Sequence, residues 1–287
     1  MPMEKLISLI RDIARVPSFS SYEERIHDLI FRTMESVPGV NGECVPDNNL
    51  VFQVPGDDNR PPVALTAHLD KINHFGTSPP EALPFEQDEE RLTGQLDNAV
   101  GLALCISLAR LSSERSFPPL MLLFSEMEES FGLKNHPHLL KNQGKGLYHG
   151  MGAERISRFL LREHLVPSAV ITLDTTPLFK GEPGVALYSG HWEFTGQQPA
   201  DREREGTERV RDQFLSIDPD LYLSNNTNDY LHYGEELNRD GQRGIPSLAL
   251  EPAIFPYHQR NESVYLKDIA RVYDIMVRWL EQTSQGI

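Results

Sequence analysis

Apolar residues recur at helical spacing over 4–15 and again over 21–35, predicting two amphipathic helices near the start of the chain. Between them, "VPSFSSYEE" reads as a stop, a turn and a new start, with Ser20 or Ser21 as N-cap and Glu23 or Glu24 following. "NNLVFQVPGDDNRPPVALTAHLD" predicts two short strands around a Pro/Gly/Asp turn. Residues 97–111, "DNAVGLALCISLARL", are apolar on nearly every side and predict a buried helix. "PLMLLFSEM" is an almost unbroken apolar run, the pattern of an interior strand covered on both faces. The stretch 133–150 is irregular and holds His136, His138 and His149. Beyond it come a helix at 153–164, a strand in "SAVITLD", a helix at 203–215, strands in "LYLS" and "IPSLALEP", and a closing helix over 266–283.

Strands that alternate with helices predict an α/β protein, a three-layer α/β/α sandwich with a mostly parallel central sheet. No internal repeat or low-complexity linker breaks the chain, so residues 1–287 read as one catalytic domain, with 133–150 as a lid or specificity loop.

Composition narrows the partners. A formal charge of −15 disfavours nucleic acid and anionic membranes, whose phosphates it would repel, and leaves room for bound cations. With only Cys44 and Cys105, neither a disulfide framework nor a thiolate zinc ribbon is expected. The N-terminus mixes charge with apolar residues and does not read as a secretory signal, and no segment approaches a membrane span. A cytoplasmic protein is the expectation.

In open α/β sheets, ligands bind beyond the carboxyl ends of the strands. Here those ends are polar. "VALTAHLD" ends in His68 and Asp70, "LMLLFSEMEE" in Glu128 and Glu129, and "AVITLD" in Asp174, while "SLALEPAIFPYH" leads to His258 and Asp97 opens the buried helix. Each has an ordinary reading by itself. Asp97 serves as an N-cap, His68 and Asp70 as a hydrogen-bonded pair, Asp174 as the start of a turn, and His258 as packing under Tyr257. One idea accounts for all of them together: two divalent ions sharing a bridging carboxylate.

Imidazole and carboxylate donors without thiolate suit zinc, with cobalt or manganese as substitutes. Asp97, Glu129 and Asp174 would set three negative charges against the four positive charges of two ions. Neighbouring side chains diverge, so Glu128 and Glu129 cannot serve one partner in the same way. One glutamate would bind metal, and Glu128 would move protons as a general base.

The ordered set of His-x-Asp after a strand, Asp at a helix start, Glu-Glu, a later Asp and a late His resembles the co-catalytic di-zinc exopeptidases. These include bacterial leucine aminopeptidases, glutamyl and deblocking aminopeptidases, and aminoacylase and carboxypeptidase relatives. The similarity runs from "VPSFSSYEERI" to "YHQRNESVYLKDI". It implies that His68 and Asp174 bind one ion, Glu129 and His258 the other, and that Asp97 bridges. It further implies that Asp70 steadies His68, that the Asp97–Asn98 peptide is cis, and that Asp229 supports the rim. Only 26 residues separate Asp70 from Asp97, and 83 separate Asp174 from His258, too few for the inserted dimerisation or lid domains of some relatives. The compact family-twenty-eight branch therefore fits the architecture, although the closing motif resembles the glutamyl and deblocking branch.

The implied activity is hydrolysis of peptide bonds by an aminopeptidase acting on peptides or small amides. A deacylase of N-acyl amino acids using the same site, and a non-catalytic relative, are the competing readings. The three histidines of 133–150 are expected to shape substrate or lie at the surface. The side-chain pocket is expected from loops around 175–200 and 225–240.

Overall fold

The computed structural model describes residues 3–196 and 198–283. Helices α1 (Met3–Ala14) and α2 (Glu24–Met34) carry the amphipathic pattern the sequence predicts, each burying one stripe. β1 (Asn41–Val45) and β2 (Asn49–Val54) form a hairpin, followed by β3 (Val63–His68). β4 (Phe85–Gln87) and β5 (Arg91–Gly94) then lead to α3 (Ala99–Leu111), buried at all but one position, and β6 (Leu120–Ser125). α4 (Ser130–Asn135) and two short 3₁₀ turns occupy the histidine-rich stretch before α5 (Met151–Arg162). The second half contributes β7 (Ala169–Leu173), β8 (Val185–Tyr188), α6 (Trp192–Thr195), α7 (Asp201–Ile217) and β9 (Tyr222–Ser224). It closes with α8 (Asp229–Asn238), β10 (Ser247–Pro252), β11 (Glu262–Tyr265) and α9 (Leu266–Gln282).

Eight strands form one mixed sheet in the order β1-β2-β6-β3-β7-β10-β8-β9. The centre is parallel, from β6 through β3 and β7 to β10, while β1, β2 and β8 bring antiparallel pairings toward the edges. α5 and α8 cover one face; α1, α3 and α9 cover the other. Layers follow from strand alternation: Val63, Leu65 and Ala67 join the core under α3, while Ala64 packs with α5 and α8 residues such as Ile156 and Tyr233. No described helix is long and apolar enough to cross a membrane.

Several local expectations change. α2 begins at Glu24, and neither Ser20 nor Ser21 caps it; their side chains are used elsewhere, as described below. Asp97 is not the cap of α3. That role falls to Asn98, whose Oδ1 accepts the Gly101 N–H at 2.9 Å. The expected loop at 225–240 is largely α8, capped by Asn228. The three-stranded sheet β11-β5-β4 left no periodic signal, because its strands are three or four residues long.

Candidate metal centre

Register collects the site. His68 ends β3 opposite Ser125 of β6, and Leu173 of β7 pairs with Leu250 of β10, so Asp174 and Glu251 follow as neighbours. One polar row thus crosses the sheet at its carboxyl end, on the α5/α8 face. Asp97 arrives from a different element. Asn98 Nδ2 donates to the Leu173 carbonyl at 2.9 Å, tying the start of α3 to the end of β7. Gly101 permits that approach, because a Cβ there would lie 2.0 Å from the Leu173 oxygen. Glu262 of β11 accepts the Leu96 and Asp97 N–H groups at 2.8 and 3.2 Å, which binds the turn after His258 to the same point. The Asp97–Asn98 peptide is cis.

The expected residues converge. His68 Nε2 lies 3.0 Å from Asp97 Oδ1, 3.6 Å from Asp174 Oδ1 and 4.0 Å from Glu128 Oε2. His258 Nε2 lies 3.3 Å from Glu129 Oε2 and 3.8 Å from Asp97 Oδ2. Donor atoms of His68, Asp97 and Asp174, and those of Asp97, Glu129 and His258, fall within 4.8 Å of one another, and Asp97 is common to both triads. A third grouping of His68, Glu128 and Glu129 overlaps them. None of His136, His138 and His149 enters a triad among the described residues. His149 instead places Nδ1 on the Glu128 carbonyl, while His136 stands against Phe131 and His138.

Asp70 does more than steady an imidazole. His68 Nδ1 is 3.0 Å from the Asp70 main-chain oxygen and 3.4 Å from its carboxylate. That carboxylate accepts the N–H groups of Glu128 and Glu129, each at 3.1 Å, and the Ser20 hydroxyl at 2.7 Å. It therefore grips the backbone of both glutamates. At the start of α8, Asp229 accepts from Ser125 Oγ of β6 and leaves Oδ1 buried with no hydrogen-bond partner among the described residues. Sequence reasoning missed Glu262 in this supporting role, and Glu251, which accepts the Asn228 side-chain amide next to Asp174. The one available signal was that each is an acid beside an apolar run or a motif already singled out.

The electrostatics are those of anions crowded together. Burial pushes Asp174 up to about 6, with the Asp97 charge adding to it. Burial and the surrounding carboxylates push Glu128 and Glu129 well above the usual range. Burial would depress the His68 imidazolium, but Asp174, Asp70 and Asp97 outweigh it and hold the group well above its ordinary value. Asp70 shifts the other way: burial opposes ionisation, yet His68, Ser20 and the Glu128 N–H keep its carboxyl below the usual range. His258 is lowered, chiefly by burial, and so presents the neutral imidazole that a metal requires. Buried carboxylates facing one another around two imidazoles fit divalent cations, since the buried Lys71 nearby places its Nζ on Ser18 Oγ and the Ile13 carbonyl instead, and oxygen and imidazole donors without sulfur suit zinc.

An α/β sandwich with a binuclear metal site at the carboxyl end of its sheet defines the class. The sequence model of Peptidase family M28 matches residues 49–157, which span β2, His68, Asp70, Asp97, Glu128 and Glu129. No curated protein matches the chain in sequence. Among solved structures, the TET aminopeptidase from the marine sediment archaeon Thaumarchaeota archaeon SCGC AB-539-E09 superposes with a TM-score of 0.68 at 13% identity, covering 100% of this chain and 99% of that one. A tripeptidase from Staphylococcus aureus subsp. aureus Mu50 gives 0.68 at 11% identity, covering 100% of both. Aminopeptidase APDkam598 from the archaeon Desulfurococcus kamchatkensis gives 0.66 at 13%, covering 98% and 95%. At such identities these likenesses establish the fold. Family model, fold and site together relate the chain to the co-catalytic di-zinc exopeptidases.

Proposed function

We propose that the protein is a two-metal aminopeptidase in which Glu128 is the general base. The observation that carries this reading is the pair of donor triads sharing Asp97, with Glu128 Oε2 4.0 Å from the His68 imidazole beside them. In this assignment His68 and Asp174 would hold one ion and Glu129 and His258 the other, with Asp97 available to both. When bound, the ions supply Lewis acidity toward the substrate carbonyl and make water a better nucleophile at neutral pH.

The chain's own residues do the rest. Asp70 holds Nδ1 of His68, so Nε2 is the free ligand atom. Glu128 accepts a proton from the attacking water as the new C–O bond forms, and returns it to the departing amine as the C–N bond breaks. A carboxyl raised by burial is suited to both halves of that transfer. The aminopeptidases and the tripeptidase sharing this fold support peptides as the substrate class. We further read residues 1–287 as one catalytic domain working in the cytoplasm, with 133–150 shaping the substrate end of the site. In support, His149 of that stretch reaches the Glu128 carbonyl.

The test measures metal content together with hydrolysis of amino-acid p-nitroanilides, dipeptides and N-acyl amino acids by wild type and Glu128→Ala. Two metals per chain, cleavage that needs a free α-amine, and a metal-loaded but inactive variant are expected. Cleavage of N-acyl substrates alone would replace the aminopeptidase by a deacylase. Absence of stoichiometric metal after zinc is supplied would end the two-metal reading.

A further inference from the structure

The sequence predicts a helix cap in the turn at Ser20–Glu23, yet no side chain of that turn caps α2. Glu23 is wholly buried. Its Oε1 accepts the N–H of Ser21 at 2.8 Å and, across 104 residues of chain, the N–H of Met127 at 3.2 Å. Its Oε2 accepts Asn48 Nδ2 at 3.1 Å. Met127 is the residue before Glu128 and has φ of 60°, a left-handed conformation that an unbranched residue adopts at a cost and keeps only when its surroundings enforce it. The same turn makes two more attachments. Ser20 Oγ donates to Asp70 at 2.7 Å, and Ser21 Oγ accepts the Lys141 N–H at 2.9 Å from the histidine-rich stretch.

We infer that Glu23 is a positioning residue for the general base: by holding the Met127 N–H it fixes the left-handed residue that aims Glu128 at the metal centre. Asp70 grips the Glu128 and Glu129 amides from one side, and Glu23 grips the preceding amide from the other. Three successive N–H groups are thereby held by two buried carboxyls, so the peptide planes that set the Glu128 Cα–Cβ direction have no freedom to rotate. Glu23 touches neither a ligand nor the reacting atoms; it acts through Met127. Burial, with Asp70 nearby, pushes Glu23 up to about 8, so near neutral pH it is largely the uncharged acid, for which glutamine is an isostere. What Met127 requires is an acceptor oxygen, not a charge.

The inference rests on Glu128 as general base, and one experiment separates the two. Wild type, Glu128→Ala, Glu23→Ala, Glu23→Gln and Asn48→Ala are compared for kcat, KM, metal content and the pH profile of kcat on one p-nitroanilide. Glu23→Ala is expected to lose about 100-fold in kcat, the scale of a misplacement of about 1 Å, with KM moved less than about threefold, two metals retained and the pH profile displaced. Glu23→Gln keeps Oε1 as an acceptor, and its Nε2 can donate to Asn48 once that amide turns its Oδ1 inward, so it is expected within about threefold of wild type. Asn48→Ala frees only the far oxygen of Glu23 and is expected to fall between them, which reads the same contact should Glu23→Ala not fold. Glu23→Ala, or in its stead Asn48→Ala, at wild-type kcat while Glu128→Ala is inactive overturns the positioning role alone. A Glu23→Gln variant as impaired as alanine overturns the acceptor account. Full activity in Glu128→Ala overturns the base assignment beneath both.

Discussion

Removing the ions should invert the way stability depends on pH. In the metal-free fold, Asp174 is raised from an ordinary 3.8 to about 6, first by burial and then by the Asp97 charge. A carboxyl raised by that much costs the folded state about 3 kcal/mol once it is ionised. Below the unfolded value that cost vanishes, because the group is protonated in both states. Above the folded value it is complete. Glu128 and Glu129, pushed well above the usual range, act in the same direction. His68 does too, since a raised imidazole contributes stability that is lost as pH climbs through its folded value. Asp70 is lowered and opposes them only at acid pH, outside the window considered. Chelated protein should therefore lose about 1.5 kcal/mol through Asp174 alone between about pH 5 and about pH 7.5, with Glu128, Glu129 and His68 adding to that loss. Metal-loaded protein should not, because the ions replace the protons and bind better as pH rises. Urea denaturation followed by tryptophan fluorescence would measure this, since Trp279 is buried and stacked on Phe214 at 4.9 Å. Asp229, also near 6, and Glu23, near 8, act in both forms and cancel in the difference. A chelated protein whose stability, relative to the loaded form, stays level or rises across that window would refute the crowded-anion account.

Other outcomes follow from single contacts. Asp70→Ala leaves the buried amides of Glu128 and Glu129 without an acceptor, so equilibrium unfolding should show a loss of about 2–6 kcal/mol, and metal titration a 10- to 100-fold weaker affinity, on the order of other lost supporting carboxylates. Gly101→Ala would set a Cβ against the Leu173 carbonyl, push the start of α3 off β7 and separate Asp97 from Asp174; a fall in metal content greater than the fall in helix content by circular dichroism is expected. His258→Ala should leave one ion bound tightly and the other readily dialysed, read as about one metal per chain after exhaustive dialysis.

The long elements and most of the site were legible in the chain itself. α1, α3, β3, β6, β7 and α9 lie where hydrophobic pattern put them, because each buries a face or its whole surface in one core and the pattern is the record of that burial. The polar ends of those strands were legible for the same reason: an acid or imidazole that closes an apolar run stands at the rim of the sheet. Short elements were not. β4, β5, β8 and β11 are too brief for periodicity, and α8 begins among asparagines that read as loop until Asn228 is seen as its cap.

What the sequence by itself determined was which residues are chemically able to bind metal and the order in which they occur. Tertiary structure alone decided what holds them. Glu23 meets the Met127 N–H across 104 residues and Asp70 the Glu128 N–H across 58, and Glu262 meets Asp97 across 165. Asn98 and Gly101 set α3 against β7 only because those two elements pack together. Hydrophobic pattern is a property of neighbours along the chain, whereas a buried carboxyl takes its role from whichever distant N–H groups the fold presents to it. A glutamate that caps a helix and one that anchors another loop look alike until the chain is folded.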